Sequence, residues 1–114
     1  MDITFRENNG ILNVHLQGRL DATTASESEK KIKDKISEFS NAIKMIIDLS
    51  QLEYISSAGL RVMLVVSKIL KANNGKLCLL GLDENVFEIF KISGFDLIFN
   101  IACDLDEAVS ILND

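Results

Sequence analysis

The chain of 114 residues is 47% hydrophobic and 25% charged, with 12 basic against 17 acidic side chains and a net charge of −5. This is the commonest size of a single domain and enough to bury a core without disulfides or metal. The acidic balance excludes the footprint of a nucleic-acid or anionic-lipid binder, and one His with two Cys excludes a four-ligand Cys/His zinc site. Apolar runs too short to span a bilayer, a start without signal-peptide pattern and sparse cysteines together predict a cytoplasmic chain.

Residues 3–7 and 11–17 both alternate apolar with polar side chains around Asn8-Asn9-Gly10, which predicts an antiparallel hairpin. After Gly18-Arg19-Leu20-Asp21 the period changes to helical. Thr24-Ala25-Ser26-Glu27 has capping-box spacing, and Ala25, Ile32, Ile36 and Phe39 follow as the apolar stripe. Residues 43–49 are nearly all apolar, as in a parallel strand buried on both faces, with an end expected near Leu49. Residues 58–72 read as a helix apolar almost all round, stopped by Asn73-Asn74-Gly75. A strand from Lys76 to Leu82, a helix through Val86, Phe87, Ile89, Phe90 and Ile92, a strand from Leu97 to Ile101 and a helix from Asp104 or Leu105 to Leu112 complete the chain. Strands alternating with helices predict an α/β fold in one domain over residues 1–114, without repeat or linker.

Catalytic templates fit poorly. The six glycines are isolated, so no phosphate-binding loop forms, and no Gly-x-Ser-x-Gly elbow occurs. His15 falls on the polar phase of its strand, as a solvated or edge histidine would; Cys78, among leucines, reads as a small buried hydrophobe. The informative stretch is Asp48 to Arg61, where a buried strand passes into a helix, since ligands and partners collect beyond the carboxyl ends of strands in open α/β sheets. Ser57 stands where an N-cap belongs, accepting from the N–H of Gly59 or Leu60. Gly59 costs about 1 kcal/mol relative to Ala in a helix, which makes sense if a phosphate or partner approaches the backbone there. A phosphate on Ser57 would sit at the positive end of the helix dipole.

Tyr54-Ile55-Ser56-Ser57-Ala58-Gly59-Leu60 resembles the signature of STAS domains, specifically of bacterial anti-sigma factor antagonists. Leu16 to Ala25 resembles the family's Gly-x-Leu-Asp turn into the first helix, and Phe90-Lys91-Ile92-Ser93-Gly94-Phe95 its third-helix ending. The resemblance implies a STAS-like fold: a mixed four- to five-stranded sheet that opens with an antiparallel hairpin, then βα units, with about four helices. It implies a switch protein without catalysis, cofactor or metal. In its unphosphorylated form such a protein binds an anti-sigma factor that is also a serine kinase, releasing a sigma factor in stress-response or sporulation signalling. Phosphorylation of a serine at the start of the second helix dissociates the pair, and a serine phosphatase restores it. Carried over by position, Ser57 is the acceptor and Asp21 should lie beside it. The family pattern has Asp before the acceptor; here Ser56 stands there, a second hydroxyl and the second choice of site.

The surface expected to meet the partner comprises Asp21, Thr23, Ile55, Ser56, Ser57, Ala58, Gly59, Leu60, Arg61 and Met63. Leu60, Val62, Met63 and Val66 exceed one buried stripe, so part of that excess is expected to face the partner. The expected state is a monomer or weak dimer. Two alternatives stand beside this: a structural STAS module of a larger signalling assembly, and a receiver domain phosphorylated on Asp48, against which the hairpin and the missing Pro both count.

Overall fold

The computed structural model describes residues 1–40 and 42–114. The Asn9-Gly10 turn, with both φ angles positive at 54° and 77°, joins β1 (Asp2–Asn8) to β2 (Ile11–Leu20) as an antiparallel pair. The chain continues through α1 (Ala25–Ile36), β3 (Lys44–Ile55), α2 (Ser57–Ala72), β4 (Lys76–Leu80) and α3 (Glu84–Ile92). A single 3₁₀ turn (Phe95–Leu97), β5 (Asn100–Ala102) and α4 (Leu105–Leu112) follow. The sheet order is β1-β2-β3-β4-β5, with every pair after the first parallel.

The two faces of the sheet are covered unequally. Leu12, Val14 and Leu16 of β2, Met45, Ile47 and Leu49 of β3, and Leu77 and Leu79 of β4 point into the main core with Ile32, Val66 and Phe90 from the helices. On the other face Ile46, Cys78 and Ala102 meet Ala108 and Leu112 of α4. The continuous apolar run of β3 is thus explained, since alternate residues enter different cores. Ile11 at the start of β2 joins this smaller core, while the other side chains of β1 and β2 on that face are polar. His15, with its side chain 49% exposed, sets Nδ1 3.2 Å from Asp48 Oδ2.

Three expectations change. β3 runs six residues past Leu49 to Ile55, because the longer β2 supplies a partner as far as Leu20↔Ile55; Asp48 is therefore mid-strand, not near a strand end. The last strand begins at Asn100, and Leu97, 88% exposed, lies in the 3₁₀ turn that Gly94 opens at φ 75°. Leu60, Val62, Met63 and Val66 are all buried. With Gly59 and Leu70 they fall within an arc of about 160° at 100° per residue, and α2 buries that arc against the sheet and the flanking α1.

Candidate functional site at the start of the second helix

Where β2 and β3 end together, the Ser56 N–H donates to the Leu20 carbonyl at 2.9 Å. That bond sets two turns side by side, the one entering α1 through Asp21 and the one entering α2 through Ser57. The helix packs so close behind it that a Cβ on Gly59 would stand 2.7 Å from the Leu20 carbonyl oxygen and 2.7 Å from Ile55 Cγ1. The glycine is therefore required by the domain's own backbone, not by an approaching phosphate or partner.

Ser56 is the N-cap. Its backbone is extended (φ −100°, ψ 179°), its Oγ accepts from the Gly59 N–H at 3.4 Å, and its carbonyl accepts from Leu60. Ser57, expected at the cap, is instead the first helical residue, because Leu20 holds Ser56 in the extended conformation a cap needs. Ser57 is exposed, and among the described residues its hydroxyl makes no hydrogen bond. The first turn of α2 holds no acidic side chain, and Arg61, exposed, lies one turn on.

The facing turn is tied by its own side chains. Asp21 Oδ1 accepts from the Thr23 hydroxyl at 2.7 Å and from the Thr23 N–H at 3.0 Å, while Oδ2 lies 3.8 Å from Arg19 Nε. The Thr23 hydroxyl bond, ahead of the Thr23 N–H, holds the Asp21 carboxyl below its ordinary value, and the Arg19 guanidinium adds to this. Thr24 does not form the capping box. Its hydroxyl accepts from the Asp21 N–H at 3.0 Å and donates to the Arg19 carbonyl at 2.9 Å, and Glu27 pairs with Lys31.

Of the residues expected at a contact surface, Ser57, Thr23 and Arg61 are exposed, and Asp21, Ser56 and Ala58 are half-buried. Ile55, Gly59, Leu60 and Met63 are buried, so their side chains shape the site from beneath and offer no apolar patch to a partner. Arg19 and Tyr54 are additional: the guanidinium lies 4.5 Å from the ring centroid, at the rim of the site. The register pairs them, Arg19↔Tyr54, one residue before Leu20↔Ile55. Sequence spacing carried no signal for that pairing.

Elsewhere, the Asp48 carboxylate accepts from the Ser50 N–H at 2.9 Å and faces His15, and no serine, threonine or cysteine side chain among the described residues hydrogen-bonds to either. No group of three His, Cys, Asp or Glu is placed to hold a metal among the described residues, and no helix is long and apolar enough to cross a membrane.

Residues 2–108 match the STAS domain model. Over 110 residues the chain is 36% identical to BtrV, an inferred anti-sigma factor antagonist of Bordetella bronchiseptica, covering 96% of this chain and 93% of that one. The fold superposes on an anti-sigma factor antagonist from Mycobacterium paratuberculosis with a TM-score of 0.87, over 99% of this chain and 94% of that one at 23% identity. It superposes on the phosphorylated form of the Bacillus cell fate determinant SpoIIAA with a TM-score of 0.69, over 96% and 97% of the two chains at 21% identity. The five-stranded mixed sheet with an antiparallel opening pair and four helices is the fold these proteins share, and the chain belongs to the STAS domain family.

Proposed function

We propose that residues 1–114 act as one cytoplasmic STAS domain that works as an anti-sigma factor antagonist and is not an enzyme. In its unphosphorylated form it binds an anti-sigma factor with serine kinase activity and frees the sigma factor. Phosphorylation of Ser57 ends the complex, and a serine phosphatase renews it. The observation that carries this is the division of labour between adjacent serines: the Ser56 hydroxyl is engaged in the cap, while Ser57 is exposed and its hydroxyl makes no hydrogen bond among the described residues. The identity to BtrV across nearly all of both chains supports the same assignment.

The contact surface is polar and small-featured: Ser57, Ala58 and Arg61 on α2, Asp21 and Thr23 on the facing turn, with Ser56 between them. A partner shaped to that neutral hydroxyl would have to desolvate about −1.5 to −2 added charges. A hundredfold loss of affinity needs only about 2.7 kcal/mol, well within the cost of burying an unpaired charge. Asp21 nearby makes the added charge worse for a tightly fitted partner. No conformational change is needed. The same phosphate is tolerated in the free protein, because the α2 dipole and Arg61 face it at the helix start.

Incubating the chain with co-encoded serine kinases and ATP, then mapping the modified residue, tests the assignment. Phosphate on Ser57, its loss in Ser57→Ala, and at least a hundredfold weaker kinase binding by Ser57→Asp are the expected results. If Ser57→Ala is still phosphorylated, the acceptor passes to Ser56.

A further inference from the structure

β1 is an edge strand, bonded to β2 on one side and open to solvent on the other. It is seven residues long, lacks Pro, and pairs with β2 without a register shift. The opposite edge, β5, has three residues. A long regular edge presents a row of backbone donors and acceptors to a further strand, whereas a very short one does not.

The hairpin turn decides which residues make that offer. Asn9 and Gly10, both at positive φ, form a two-residue turn flanked by the pair Asn8↔Ile11. In such a hairpin the flanking pair exchanges both ladder hydrogen bonds, and alternation assigns Arg6↔Asn13, Thr4↔His15 and Asp2↔Gln17 to the same class. The N–H and C=O groups of Ile3, Phe5 and Glu7 therefore point to the open edge.

A second copy adding antiparallel about a two-fold axis must set these odd-numbered residues against one another. Four registers do so with an overlap of about five residues or more. Centred on Arg6, that guanidinium faces its own copy and Phe5 faces Glu7. Centred on Ile3, the overlap ends at Phe5 and leaves Arg6 and Glu7 unused. Centred on Phe5, apolar Ile3 faces Glu7. Centred on Thr4, Ile3 faces Phe5 and Asp2 faces Arg6, each pair occurring twice by symmetry. Asp2 and Arg6 are exposed, and neither is in an ion pair among the described residues. Ile3 and Phe5 are half-buried, packed on the main core and open at the edge.

We propose that β1 pairs with β1 of a second copy of this chain, antiparallel and centred on Thr4, so that two five-stranded sheets become one. The strand is self-complementary in that register alone, in charge as well as in apolar contact. Ser57 lies beyond the end of β3, off this edge, so association leaves the α2 site open, and the proposal stands independently of the function proposed for it.

Sedimentation equilibrium of the full chain from about 10 μM to about 1 mM should show a reversible dimer, weak because one strand pair is a small interface. Asp2→Arg and Arg6→Asp should each weaken it about tenfold, and the double swap should restore it to within about threefold. In a Cys103→Ser background, Thr4→Cys should form an intermolecular disulfide on mild oxidation, since the two Cα atoms would stand about 4.5 Å apart; Arg6→Cys should not. Circular dichroism confirms that each variant is folded. A chain still monomeric at about 1 mM, a double swap that fails to restore association, or Arg6→Cys cross-linking as fast as Thr4→Cys overturns the proposal.

Discussion

Replacing Gly59 by Ala sets two physical effects against each other, and the structure says which wins. Inside a helix the change by itself favours folding by about 1 kcal/mol. Gly59 has an ordinary helical backbone that Ala adopts without strain. If the glycine served an approaching partner, the free protein would gain that stability. The added Cβ would instead stand 2.7 Å from the Leu20 carbonyl oxygen, 2.7 Å from Ile55 Cγ1 and 2.9 Å from Leu20 Cγ. Leu20 and Ile55 are both fully buried, and the carbonyl is held by Ser56 N–H, so none can withdraw cheaply. Forcing a methyl into a packed interior costs about 1–3 kcal/mol, and three contacts below 3.0 Å put this site in the upper part, about 2–3 kcal/mol, which outweighs the propensity gain. The net loss expected is about 1–2 kcal/mol, or a urea midpoint lower by about 1 M. Equilibrium urea unfolding followed by circular dichroism measures it. A midpoint equal to or above that of the parent protein would refute the close-packing argument and return Gly59 to the partner.

The two serines should separate by stability in the same assay: Ser56→Ala loses the cap and about 0.5–1 kcal/mol, while Ser57→Ala, whose hydroxyl is unbonded, stays within about 0.5 kcal/mol. The Asp21 carboxyl, held low first by the Thr23 hydroxyl, should titrate by NMR with a midpoint below its ordinary 3.8, and Thr23→Ala should raise that midpoint. Because the folded value is the lower one, the stabilisation it gives is complete above 3.8 and fades as pH falls through the folded value; a midpoint unmoved in Thr23→Ala contradicts the assigned cause. Burial pushes the Cys78 thiol up to about 11, whereas Cys103 is exposed. A thiol reagent at neutral pH should therefore modify one cysteine promptly and the second on unfolding, and prompt modification of both contradicts the buried placement of Cys78.

Much of the architecture was legible because local rules agreed with the fold. Asn9-Gly10 requires positive φ at two successive residues and so forces a hairpin. The unbroken apolar run at 45–47 needs cores on both faces, which only a covered sheet supplies. The Ser-Ser-Ala-Gly stretch marked the helix start as the site to inspect. Less legible was which of its residues reach the surface. Val62 and Met63 looked like too much hydrophobe for one stripe, because periodicity cannot reveal that α1 covers a second flank of α2.

The cap assignments show the same division. Sequence placed a hydroxyl before each of the first two helices, and could not tell which backbone groups would claim it. At α1 the turn out of β2 takes the Thr24 hydroxyl, so no capping box forms; at α2 the Leu20 carbonyl fixes Ser56 as the cap and leaves Ser57 free. By itself, then, the sequence determined the elements and their order and pointed to the candidate site, since these follow from period, turn chemistry and composition along the chain. Only the tertiary structure decided the strand register. That register brings Leu20 level with Ile55, demands glycine at 59 and sets Arg19 on Tyr54, because it is fixed by contacts between segments far apart in sequence.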